Sequence, residues 1–257
     1  MSGFLFEQII FGPIRSRRLG ISLGINLLPT HKKHCTFNCV YCECGLTPPP
    51  DPEMNFPKKD EVRAALEQKL VSMKEKDAML DSITYAGNGE PTIHPHFEEI
   101  VNDTIVLRNK YFPDTLISVL TNASKVGAPG VADALQKIDQ PILKLDAGTN
   151  EMFQKLNNPR INISLKQIIE NMMVLKGKAI IQTLFIRGTS GDTWVDNTTE
   201  EEVSAWLKHL EMLQPRLVMI YPIARETPVE TLDKIDSREL MEIARRVEEL
   251  GIETEVY

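Results

Sequence analysis

All four cysteines of the chain fall in one window, HCTFNCVYCECG, residues 34–45. Cys35, Cys39 and Cys42 follow a Cys-x3-Cys-x2-Cys spacing, with Cys44 two residues further on. Three thiolates on one tight loop can ligate three irons of a cubic iron–sulfur cluster and leave the fourth iron without a protein ligand. An open position of that kind is where a substrate meets a metal. Two plainer alternatives stand beside it: a structural zinc site with His34 or Cys44 as fourth ligand, or incidental thiols. Cys44 reads as a thiol near the cluster without a ligand role.

A second group of residues is placed to do chemistry. GNGEPT, residues 87–92, combines glycines that let backbone approach a ligand with a carboxylate able to accept from an ammonium group. Its plainer alternatives are a turn, with Glu90 as a helix cap. Thr121 and Asn122, Asp146, Arg187 and, more weakly, Tyr221 and Arg225 are polar groups near the ends of later apolar runs. Lys144 and Asp146 share a face if their strand alternates. Arg15, Arg17 and Arg18 form a small cationic patch, which on composition alone is a solvated turn.

The elements that would position these groups alternate. Strand-like runs occur at 21–29, 82–87, 115–122, 141–147, 179–188 and 216–223, and 252–257 could add a short closing strand. Between them lie amphipathic helices. One begins near Asp60 after the proline-rich segment 46–57. Another carries Phe97, Ile100, Val101, Thr104 and Ile105 at buried-stripe spacing, and a third carries Val131, Leu135 and Ile138. Ser164 with Gln167, Thr199 with Glu202, and Asp236 with Glu239 have capping-box spacing, and Gly251 ends the last helix. Six strands separated by helices predict a parallel sheet with right-handed crossovers. Six units are too few for an eight-unit closed barrel, so an open or partial barrel fits. Chemistry then gathers at the C-terminal ends of the strands.

The composition, 42% hydrophobic and 25% charged over 257 residues, is that of a globular protein able to bury a sizeable core. It suits one domain over 1–257, with residues 1–20 as an N-terminal extension packing on the barrel. No apolar run reaches the roughly 18 residues of a membrane span, and the N-terminus does not read as a secretory signal. A cytoplasmic, reducing setting is expected, where disulfides explain clustered cysteines poorly. The net charge of −7 weighs against broad attraction to nucleic acid, though a local basic patch could survive it.

The three-cysteine spacing, with Tyr41 directly before the last cysteine and the loop following the first strand, resembles the motif of the radical S-adenosylmethionine superfamily. One βα unit on, GNGE resembles that superfamily's glycine–glutamate motif, which holds the amino group of S-adenosylmethionine. Asn88 stands where many members have glycine. The resemblance implies a partial (βα)6 barrel of radical S-adenosylmethionine type, with a [4Fe–4S] cluster on Cys35, Cys39 and Cys42. It implies contacts to S-adenosylmethionine from Tyr41, Gly87, Asn88, Gly89, Glu90, Thr121, Asn122, Asp146 and Arg187. It further implies reductive cleavage of that cofactor to a 5′-deoxyadenosyl radical, which abstracts hydrogen from a substrate. A low-potential electron donor, flavodoxin or ferredoxin, is the implied partner.

The segment FGPIRSRRLGISLGINLLP, residues 11–29, resembles the start of enzymes related to the wyosine-forming tRNA enzyme. Those enzymes carry a second cluster on additional N-terminal cysteines, and none precedes Cys35 here. That difference and the acidic charge argue against carrying over the tRNA substrate. Two substrate classes follow: nucleoside or RNA modification, and activation of a glycyl-radical protein. A zinc-bound interaction module is the non-enzymatic rival, and it predicts a colourless protein.

Overall fold

A computed structural model describes residues 4–49, 55–225 and 227–257. Residues 50–54 of the proline-rich segment, residues 1–3 of the N-terminal extension and Glu226 lie outside that description. The main sheet has eight strands in the order β1-β2-β3-β4-β5-β6-β9-β11. They are β1 (Ile10–Ser16), β2 (Gly20–Ile25), β3 (Ser82–Tyr85), β4 (Leu116–Thr121), β5 (Gln140–Lys144), β6 (Ile180–Leu184), β9 (Leu217–Tyr221) and β11 (Thr254–Val256). From β2 onward every neighbour is parallel; β1 alone is antiparallel, folding back on β2. The six expected strands are therefore β2 to β6 and β9, the wall of a partial barrel, with β11 as the short closing strand. Residues 10–16 of the N-terminal extension lengthen the sheet as its edge strand.

Period-two alternation explains the layers. Leu23, Ile25, Ile83, Tyr85, Ile117, Val119, Leu143, Ile181, Val218 and Ile220 are fully buried in the large core. The helices cover that face: α1 (Lys59–Glu75), α2 (Phe97–Tyr111), α3 (Val131–Lys137), α4 (Asn150–Leu156), α5 (Leu165–Met172), α6 (Glu200–Leu213) and α7 (Ser237–Glu248). The alternate residues face the barrel interior. There Ile142, Ile180 and Met219 form a separate apolar cluster joined by Leu19 and Leu120. Beside it runs a hydroxyl ladder of Ser22, Thr84, Ser82 and Ser118 that ends on Gln140.

The helix caps follow their side chains. Ser164 and Gln167 form the reciprocal box expected at α5. Thr199 caps α6 by accepting from Glu202 N, but the Glu202 carboxylate turns away to Gly148 N and Thr149 N. Asp236 caps α7 by accepting from the amides of Arg238 and Glu239.

The expected fifth strand, 179–188, breaks at Phe185. Beyond it β7 (Ile186–Ser190) leaves the barrel and pairs with β8 (Thr193–Asp196) and β10 (Leu232–Lys234) in a small antiparallel sheet. The break is filled by Asn197, which is 2% exposed. Its Oδ1 accepts from Ile186 N at 2.8 Å, and its Nδ2 donates to Leu184 O and Asp146 O at 2.8 Å each. Phe185 packs edge-on against Trp206 of α6, 5.4 Å between centroids. Asn197→Ala strands these backbone groups without partners. It is expected to lower unfolding free energy by roughly 2–4 kcal/mol in urea titration, with Ala at the exposed Asp192 as the neutral control.

Candidate active site

The cysteine loop, residues 34–45, has almost no regular structure, so neighbouring strand ends must hold it. The first tether is backbone. His34 N donates to Asn88 O at 2.8 Å and Glu90 N donates to His34 O at 3.1 Å, a two-bond parallel bridge between the loop and the turn after β3. Gly89 makes this possible: its φ is +140°, and a Cβ there would lie 1.8 Å from His34 O. Gly87 has φ +144° for a related reason, since a Cβ would meet Asn26 Oδ1 at 2.5 Å. The glycines of GNGE thus let the cysteine loop lie flat on the turn.

The second tether centres on Glu90, which is 2% exposed. One carboxylate oxygen accepts from Thr92 N (3.1 Å), Thr92 Oγ1 (2.5 Å) and Thr121 Oγ1 (2.7 Å). The other accepts from Asn122 N at 2.7 Å. Burial raises its pKa above the ordinary carboxylate value, although these bonds pull the other way. The side chain expected to meet an ammonium group is therefore occupied in joining the ends of β3 and β4 and in capping a short 3-10 turn, Pro91–Ile93. Asn122 passes the tether on: its Nδ2 donates to Thr36 Oγ1 at 2.9 Å and lies 3.7 Å from Cys35 Sγ.

The third tether is Asp146, just past β5. It accepts from Tyr41 Oη, Asn157 Nδ2 (3.1 Å) and Leu184 N (2.9 Å), and pairs with Lys144 Nζ at 2.8 Å. Burial and the Asp146 charge push the Tyr41 phenol well up. Asn157 also directs its Nδ2 at Cys39 Sγ, 3.5 Å away. Burial would push the Lys144 ammonium down, but Asp146 and Tyr221 outweigh it and raise it.

Lys33 completes the loop from inside. It is 3% exposed, and its ammonium donates to Gly45 O at 2.7 Å. Burial acts to lower its pKa, but the sulfurs of Cys42, Cys35 and Cys39 reverse the effect and raise it. Burial raises Cys35, and raises Cys39 to about 11. Cys42 is brought down to about 5, first by a hydrogen bond from Cys44 and then by Lys33. Cys44 Sγ also lies 3.4 Å from Gly87 O.

Two of the expected site residues have side chains committed elsewhere. Arg187 sits in β7, outside the barrel sheet, where Glu239, Asp196 and Thr198 engage its guanidinium. The cause is the strand break at Phe185. Asn88 is fully buried with its side chain turned from the cysteine loop: Oδ1 accepts from Phe6 N at 2.8 Å, and Nδ2 donates to Phe6 O and Pro29 O at 2.9 Å each. The asparagine in place of a glycine thus has a structural reason. Lys33, Asn26 and Asn157 were not singled out by the sequence; no periodicity marks them, and only the Lys-Lys pair before His34 hinted at a local charge.

The thiols fit an iron–sulfur cluster better than a single ion. Among the described residues no three His, Cys, Asp or Glu side chains gather as the ligands of one ion would. A cubic cluster sets a different demand, because each cysteine ligates its own iron. Amide donors at two of the three sulfurs and a buried ammonium beside the third suit thiolates carrying negative charge.

Residues 30–205 match the Radical SAM superfamily, and the chain belongs to it. Its cofactors are accordingly a [4Fe–4S] cluster and S-adenosylmethionine. A UPF0026 protein of Synechocystis is 30% identical over 86% of this chain and 77% of its own length. A probable dual-specificity RNA methyltransferase RlmN of Thermotoga petrophila is 24% identical over 86% of this chain and 61% of its own. The chain spans 34% to 66% of the length of several other curated relatives. A radical SAM methyltransferase from Sphaerobacter thermophilus shares the fold with a TM-score of 0.66, covering 92% of this chain and 65% of that one at 14% identity.

The geometry changes what Glu90 should do when altered. Glu90→Gln places an amide opposite Asn122 N–H and the threonine donors. It is expected to destabilise the cofactor-free protein by about 1–3 kcal/mol, measured by chemical denaturation. A carboxylate serving only to receive cofactor would leave that stability unchanged.

Proposed function

We propose that this chain is a radical enzyme whose Cys35, Cys39 and Cys42 ligate the cluster, and that its substrate is a nucleoside or RNA base. When bound, the cluster and S-adenosylmethionine supply one-electron cleavage of a carbon–sulfur bond and a 5′-deoxyadenosyl radical that takes hydrogen from the substrate. The observation carrying this proposal is the joining of the cysteine loop to the ends of three successive strands, through Gly89, Glu90 with Asn122, and Asp146.

The protein's own residues supply position and charge. Gly87, Asn88 and Gly89 offer main chain to the cofactor's methionyl end. Among the described residues no donor occupies the Gly89 carbonyl, which leaves it open to an ammonium group. Glu90, Thr121, Asn122, Tyr41 and Asp146 act one bond further back, holding that main chain and the cysteines in place. Burial of the loop against β3 to β5 limits water at the sulfurs.

A low-potential donor, flavodoxin or ferredoxin, fits the outer side of the loop. There Cys35 shares a cleft with Lys125 and Arg160, two positive side chains on an otherwise acidic chain. The nucleoside assignment draws support from the likeness to RlmN, a probable RNA methyltransferase.

Anaerobically purified protein is expected to be brown, with about four irons per chain. Alanine at Cys35, Cys39 or Cys42 should abolish the visible absorption, whereas Cys44→Ala should keep it. Reduced protein given S-adenosylmethionine should release 5′-deoxyadenosine, read by chromatography. Nucleoside mass spectrometry of RNA incubated with it should show a new mass. Stoichiometric zinc in iron-replete protein would sink the cluster assignment, and a glycyl radical raised on an added partner would replace the nucleoside one.

A further inference from the structure

Arg15, Arg17 and Arg18 look equivalent in sequence, but the fold separates them. Arg15 and Arg17 are exposed, whereas Arg18 is half-buried. It sits in the turn between β1 and β2, and the next residue, Leu19, packs on the apolar interior cluster of Ile142, Ile180 and Met219. The Arg18 guanidinium carbon lies 4.4 Å from the centroid of the Tyr221 ring. Tyr221 ends β9. Its hydroxyl accepts from Lys144 Nζ at 2.6 Å and lies 3.3 Å from Gln182 Oε1.

What Arg18 lacks is an acceptor. Its Nη1 is buried and meets no hydrogen-bond partner. A guanidinium carries five donors and stays charged in proteins, so a buried N–H on it calls for an acceptor from outside the chain. Asp146 does not serve, being committed to Lys144, Tyr41, Asn157 and Leu184 N. Arg18 thus presents a planar cationic fork beside the Tyr221 phenol and, through that phenol, the Lys144 ammonium, and the Tyr257 phenol also feels its charge. Carboxylate and phosphate have the oxygen geometry that such a fork matches.

We propose that Arg18, with Lys144 and Tyr221 beside it, receives a carboxylate or phosphate group of the substrate inside the barrel. Contacts lead from this site to the cysteine loop: Arg18 on Tyr221, Tyr221 to Lys144, Lys144 to Asp146, and Asp146 to Tyr41, the neighbour of Cys42. An anion held at Arg18 therefore anchors one end of the substrate and leaves the rest free to extend toward the cofactor. The inference rests on the radical-enzyme proposal for calling the ligand a substrate; the anion site itself does not.

The test uses the full cluster-loaded chain, anaerobically and without reductant, with inorganic phosphate or malonate as probe at constant ionic strength. Phenylglyoxal labelling is followed residue by residue by mass spectrometry. One anion should protect Arg18 saturably while Arg17 labels at an unchanged rate, and the more protective anion identifies the group. By calorimetry, Arg18→Met, which keeps the aliphatic stem, should bind that anion at least about tenfold more weakly. Its melting temperature should equal or exceed that of the parent, because a buried N–H group without an acceptor has been removed. Arg17→Met should bind as the parent does. Equal labelling of Arg18 with and without both anions overturns the proposal, as does undiminished binding by Arg18→Met. Melting of both Arg18→Met and Arg18→Lys well below the parent would make the residue a structural plug and equally overturn it. Release of 5′-deoxyadenosine by the unaltered protein is scored separately, so failure of the radical chemistry is distinguishable from failure of the anion site.

Discussion

The arrangement depends on a backbone contact only glycine allows: the two hydrogen bonds joining His34 to the peptides on either side of Gly89. A loop of twelve residues with four thiols has little reason to hold one shape by itself. Pairing it with the turn after β3 fixes its first cysteine relative to a strand end buried in the main core. From that fixed point Asn122 and Asn157 reach the sulfurs of Cys35 and Cys39. A side chain at position 89 would separate the two segments and release everything downstream.

Buried polar groups, not apolar packing, set the details. Glu90 lies in the turn after β3 and Asp146 directly past β5, and each gathers donors from neighbouring segments. Carboxylates so deep in a protein are costly unless their oxygens are satisfied, and here each accepts several bonds. That economy also separates roles. Residues that fix the loop are saturated, whereas the Gly89 carbonyl and Arg18 retain unused hydrogen-bonding capacity. The ligand contacts proposed for this chain fall on that unused capacity.

The sequence disclosed the fold because short strand-like runs alternate with helices that carry an apolar stripe, three of which, α5, α6 and α7, also have a side-chain cap. It disclosed the cysteine loop and GNGE because their residue types are chemically unusual. It could not disclose Arg187's surroundings, since 179–188 reads as one strand from end to end. The break at Phe185 depends on Asn197, which lies eleven residues beyond Ile186 and carries no local signal. Thr199 and Glu202 show the same limit: the spacing of a capping box was present, but Gly148 and Thr149, distant in sequence, claimed the carboxylate. Asn157 and Lys33 escaped notice because single polar residues acquire meaning only from tertiary neighbours.

The bond set between Asn88 and Phe6 has a consequence for how this chain can diverge. An asparagine in the middle of a glycine-rich turn is tolerated because the N-terminal arm supplies both a donor and an acceptor, with Pro29 O as a further acceptor. Glycine at position 88 would leave the Phe6 peptide unmatched, and loss of the arm would leave a buried amide unmatched in turn. Because both Phe6 groups are main chain, position 88 is coupled to the presence of the arm, 82 residues away, and not to the side chain carried at residue 6. Grafting this turn onto a related barrel would succeed only with its arm attached.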